Sequence, residues 1–174
     1  HTLELCTDDD EQTVASLSMD QLKQDFEQCE LLVTFACDGN RRQELNEIRR
    51  SGGFDWGPYA LSTARWKGAQ LRDVLQKLFQ NLDEYKFVLF EGTDQLQNDK
   101  YGTSIAIEHG LNATADVILA YEMNGEPLPP DHGFPVRVIV PGCVGGRMVK
   151  WLKKITVAKE ESKNWYHLHD NRVF

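Results

Sequence analysis

The chain has 174 residues, 41% hydrophobic and 26% charged, enough apolar material for one packed core and too little charge for a disordered tail. A formal net charge of -8 argues against a nucleic-acid binder, although Arg41, Arg42, Arg49 and Arg50 form a local basic cluster able to focus a small anion. Cys6, Cys29, Cys37 and Cys143 form no Cys-x-x-Cys pair, which excludes a zinc ribbon and fits a reducing, cytoplasmic setting better than a disulfide framework. No apolar run reaches the length of a membrane span and the first residues lack a signal core, so a soluble chain without a membrane partner is expected. The start at His1 reads as an excised piece.

In chain order, Ser18 and Gln21 predict a capping box opening a short helix with Leu22 and Phe26 on one face. Residues 29–36 read as a buried strand, and residues 37–65, rich in Gly, Arg and aromatics, as loop with a short helix near 43–49. Leu71, Val74, Leu75, Leu78 and Phe79 follow the spacing of an amphipathic helix ending near Asn81. Strands follow at 85–91 and 116–123, with Asn124-Gly125 as a hairpin turn into 126–128, and further strands at 135–140 and 148–157. With no repeat or linker, the prediction is one α+β domain over 1–174, built from mixed sheets and short helices.

Three constellations carry possible chemistry. Cys37 ends an apolar strand and precedes Arg41 and Arg42; a thiol beside fixed positive charge ionises readily and serves as nucleophile or soft-metal ligand. A buried structural thiol is the commoner fate at such a position, and the spacing leaves the readings open. His132, Arg137, Arg147 and Lys150 are interleaved with glycines, a pattern suited to phosphate, whereas Lys153 and Lys154 read as ordinary solvent-facing residues. His167 and His169 alternate like strand neighbours, but no third ligand is spaced to complete a metal site, so both are read as non-ligating.

Cys37-Asp38-Gly39-Asn40-Arg41-Arg42, Leu61 to Trp66, Gly68 to Leu75, Phe90-Glu91-Gly92, Tyr101 to Ile105, Leu119 to Gly125, Asp131 to Arg137 and Val149 to Leu152 are collinear blocks. Together they resemble the molybdenum-cofactor domain of the sulfite oxidase and eukaryotic nitrate reductase family. The resemblance implies a sulfite-oxidase-type molybdopterin-binding fold, present in part, with Cys37 as the protein ligand of molybdenum. It implies cofactor contacts from Asp94, His132, Arg137, Arg147, Lys150 and Asp170. Family members of the sulfite oxidase type carry tyrosine where this chain has Asn171, and the asparagine resembles nitrate reductases. The implied reaction is oxygen-atom transfer from nitrate, with Arg42 holding the anion, Asn171 hydrogen-bonding it and Trp56 walling the pocket. The alternatives are sulfite oxidation, favoured by the wording of Ala120 to Gly125, and an inactive fragment or interaction domain.

By the same resemblance, haem and FAD belong to domains outside this chain, the haem domain delivers electrons, and the parent enzyme is a homodimer. The family's upstream arginine-bearing segment is not in the chain, so the isolated stretch is expected to be inactive. Asp38 stands where the family has alanine, and is expected to pair with Arg41 or weaken the positive field.

Overall fold

The computed structural model describes residues 1–8 and 13–171. Two five-stranded sheets form its frame. The first runs in the order β2 (Thr13–Ser18), β1 (Thr2–Thr7), β10 (Leu152–Ala158), β5 (Phe87–Gln95), β6 (Lys100–Ala106). Its pairs are antiparallel except for β1 beside β10. In the second, β3 (Gln28–Ala36) pairs with β4 (Leu61–Gln70), and β4 with β7 (Ile118–Met123). The far edge of β7 is shared by the short β8 (Glu126–Pro127) and β9 (Arg137–Ile139).

Local sequence explains much of this frame. The capping box forms as expected, with Gln21 N–H donating to Ser18 Oγ and Ser18 N–H to Gln21 Oε1, and it starts α1 (Met19–Gln24). Leu71, Val74 and Leu75 bury the apolar stripe of α3 (Leu71–Leu78), which ends a turn earlier than its periodicity predicts. Two further short helices are α2 (Arg42–Asn46) and α4 (Ile107–Leu111). Leu3 and Leu5 from β1, Val88 and Phe90 from β5, Ile155 and Val157 from β10, and Trp66, Ile118 and Leu119 from the second sheet belong to one continuous core.

Several expectations need correction. The strand at 28–36 is an edge strand and not a buried one: Val33 alone is fully buried, and Leu32 is 70% exposed. The predicted loop at 37–65 ends early, because β4 begins at Leu61. Strand β6, with Gly102 to Ile105 all buried, has interior on both faces and lacks the alternation that marks a half-buried strand. Residues 148–151 precede β10 instead of belonging to it. His167 lies in a π-helical turn, Tyr166–Asp170, and not on a strand. Among the described residues no helix is long and apolar enough to cross a membrane.

Removing methylenes from the common core leaves a cavity, whereas trimming the exposed edge does not. Leu5→Ala, at a position with 0% exposure, is expected to cost about 2–5 kcal/mol in urea unfolding. Leu32→Ala is expected to stay within about 0.5 kcal/mol of the unmodified protein.

Candidate active site

The ends of both sheets meet around a cavity of about 1140 Å³. The second sheet contributes Phe35 at the end of β3, Cys37 just beyond it, Leu61 and Ser62 at the start of β4, and Arg137 at the start of β9. The first contributes Asp94 from β5 and Tyr101 from β6, with Lys150 and Trp151 leading into β10. Asp170 and Asn171 arrive from the π-helical turn.

Cys37 is exposed at the cavity wall, which removes the buried structural reading of this thiol. Its backbone N–H donates to the Ala60 carbonyl at 2.8 Å, and Gly39 N–H points at its Sγ at 3.5 Å. The two neighbouring arginines diverge. Arg41 is spent on Glu44, at 2.6 Å on the outer surface, so Asp38 does not pair with it. Arg42 turns inward and is 2% exposed; among the described residues its side chain makes one long 3.5 Å contact, to Ser51 Oγ, and its Nε has no partner. Gly53 gives it room: a Cβ there would lie 3.0 Å from Arg42 Nη1, and the φ of +92° itself favours glycine.

Arg137 is 4% exposed and sits over the rings of Trp66, at 5.0 Å, and Phe35, at 5.6 Å. Nη1 donates to the His132 carbonyl and Nη2 to the Met148 carbonyl, both at 3.0 Å. No carboxylate among the described residues pairs with it, and burial pushes its pKa down to about 10. Lys150 is lowered too, first by burial and then by Arg137, with Asp94 and Asp131 opposing. Its ammonium donates to the Asp131 carbonyl and lies 4.2 Å from the Trp151 ring centre. Burial raises the Asp94 carboxyl above the usual range, and its Oδ1 has no donor.

These details test whether a molybdopterin group suits the site. Buried polar atoms normally find partners, yet Asp38 Oδ2, Arg42 Nε, Asp94 Oδ1 and Arg137 Nε, all on lining residues, have none. Buried cations without counter-ions favour an anion, and an acceptor without a donor favours an N–H edge. Among the described residues no three His, Cys, Asp or Glu side chains cluster as a metal site. A metal here would therefore take one thiol from the protein and further ligands from an organic group, and the residues fit that requirement.

Of the residues singled out from the sequence, Cys37, Arg42, Trp56, Asp94, Arg137, Lys150, Asp170 and Asn171 line the cavity together. His132 and Arg147 do not. His132 offers its carbonyl to Arg137, and Arg147 Nη1 donates to Thr103 Oγ1 at 3.0 Å. His167 is buried between Thr103 and Glu161 and is no ligand. Sequence reasoning missed Phe54, which stacks on Trp56 at 5.8 Å, and the cavity roles of Tyr101 and Asp38. For Tyr101, its spacing of two residues from Thr103 places both on one strand face, which is the signal the sequence offers.

Residues 1–166 match the oxidoreductase molybdopterin binding domain family. A nitrate reductase [NADPH] of Fusarium oxysporum is 48% identical over 157 residues, covering 90% of this chain and 17% of that protein. A nitrate reductase [NAD(P)H] of Hordeum vulgare is 52% identical over 160 residues, covering 90% of this chain and 18% of that protein. The chain thus spans less than a fifth of the length of these relatives. The sulfane dehydrogenase SoxCD of Paracoccus pantotrophus shares the fold, with a TM-score of 0.76 and 22% identity over 95% of this chain and 40% of that one. The fold, the Cys37 thiol in a cavity that also holds buried guanidinium groups without a carboxylate partner among the described residues, and the match over nearly the whole sequence agree, and the chain belongs to the family of molybdopterin-binding oxidoreductase domains.

Proposed function

We propose that this chain is the molybdopterin-holding part of a nitrate reductase, which converts nitrate, two electrons and two protons to nitrite and water. One observation carries the reading: a single cavity combines a free thiol, buried guanidinium groups lacking a carboxylate partner, and a carboxamide. That donor set suits an anionic, sulfur-bearing cofactor beside a small planar oxyanion. The nitrate reductases that share about half of its residues support nitrate over sulfite.

Cys37 would be the protein ligand of molybdenum, Asp94 would accept from the N–H edge of the pterin, Arg137 and Lys150 would hold its phosphate, and Asp170 would supply a further cofactor contact. His132 and Arg147 support this set from behind the lining. When bound, the cofactor supplies a redox-active metal that exchanges an oxygen atom with the substrate. Arg42 holds nitrate by charge, and its burial makes that attraction stronger than it would be in water. Asn171 donates a hydrogen bond that orients the anion, while Trp56, stacked on Phe54, forms an apolar wall that keeps water away.

Electrons reach the site from a haem domain fed by an FAD domain, both outside this chain. The parent protein is a homodimer in a reducing, cytoplasmic setting, where cysteines such as these four, all free, stay reduced.

In the full-length protein, Cys37→Ser is expected to reduce bound molybdenum to background by elemental analysis; full occupancy in that variant refutes the ligand assignment. Arg42→Ala is expected to lower kcat/KM for nitrate about 10- to 100-fold, as befits loss of a charge-assisted contact. Sulfite turnover without nitrate turnover in the unmodified protein, with artificial redox partners, transfers the assignment to sulfite oxidation.

A further inference from the structure

Asn171 is tied into a directed chain of hydrogen bonds. Its Nδ2 donates to the Tyr101 hydroxyl at 2.8 Å, and that hydroxyl donates to the Gly146 carbonyl, also at 2.8 Å. A phenol has one proton, and a carbonyl oxygen only accepts. The proton of Tyr101 is therefore committed to Gly146, and toward Asn171 the hydroxyl can act only as acceptor. The carboxamide must present its nitrogen there, so its orientation follows from a count of protons.

Gly146 is held through its other backbone group as well, its N–H donating to Asp38 Oδ1 at 3.0 Å. A Cβ on Gly146 would lie 2.5 Å from Asp38 Oδ2 and 2.9 Å from Asn171 Cγ, so glycine is what allows these groups to meet. On the same face of β6, Thr103 Oγ1 accepts from Arg147, at the end of the Gly145–Arg147 turn. The same oxygen lies 2.9 Å from Nδ1 of His167, inside the turn leading to Asn171. One strand thus braces both the peptide and the turn. Burial, the largest influence, pushes the Tyr101 phenol up to about 12, which keeps the proton in place at physiological pH.

We infer that Tyr101 is a positioning residue for the nitrate site: with its own proton committed to the Gly146 carbonyl, it holds one N–H of the Asn171 carboxamide, so that the second N–H on the same nitrogen is the donor offered to the anion. A flipped amide would turn a carbonyl oxygen toward the negative charge. The inference rests on the nitrate-orienting role proposed for Asn171.

The test compares Tyr101→Phe, Asn171→Ala, their combination and Asn171→Asp in the cofactor-loaded full-length protein, with a crystal structure and melting temperature for Tyr101→Phe. The phenylalanine keeps the ring and removes only the hydroxyl. It is expected to raise KM for nitrate about tenfold with kcat little changed, and to release the Asn171 carboxamide from its position beside residue 101. The double variant is expected to be no worse than Asn171→Ala alone. Asn171→Asp, which leaves Tyr101 intact and cannot donate, is expected to raise KM at least as far as alanine. An unmoved Asn171 in the Tyr101→Phe structure, additive effects in the double variant, or a silent Tyr101→Phe beside a raised KM in Asn171→Ala overturns the positioning role alone. An unchanged KM in Asn171→Ala overturns the nitrate role of that residue, and the positioning role with it.

Discussion

Burying a guanidinium without a counter-ion is costly, and around Arg137 the surrounding structure is arranged to tolerate that cost. The Trp66 and Phe35 rings lie near the planar group, while the carbonyls of His132 and Met148 take its forked donors. Those contacts tie β9 to β3 and β4 and bring the segment before β10 against the second sheet. They also leave Nε unpaired at the edge of the cavity. The same arrangement that joins these strands thus holds positive charge at the cavity.

Arg42, which lines the same cavity, repeats the principle. It is buried, has no carboxylate partner among the described residues, and occupies space left by Gly53. Its neighbour Arg41, one residue away, faces outward and is neutralised by Glu44. Exposed pairs of that kind contribute little to stability, so the useful charge at this position belongs to Arg42 alone. Asp38, next to the thiol, is likewise absorbed into structure: it braces the Gly146 peptide and does not cancel the charge of Arg41.

Much of the site was legible because family motifs mark residues whose chemistry is specific. A thiol followed by paired arginines, and a basic segment rich in glycine, name candidates directly. Seven of the candidates line one cavity with Cys37, whereas His132 and Arg147 lie outside the lining, the first giving its backbone carbonyl to Arg137 and the second donating to Thr103. The sheets were less legible. Strands buried on both faces, such as β6, have no alternation to read, and an edge strand such as β3 can be apolar while largely exposed.

Composition, spacing and motif content were enough to determine an α+β chain, the capping box at Ser18, the amphipathic stripe of α3 and the thiol at Cys37. Each depends on contacts within a few residues or on the identity of a single side chain. The pairing of strands far apart in sequence, the inward turn of Arg42 against the outward turn of Arg41, and the chain from Asn171 through Tyr101 to Gly146 were decided only by the tertiary structure. Those features rest on which donors and charges find partners across dozens of residues, and such partners exist only once the sheets have come together.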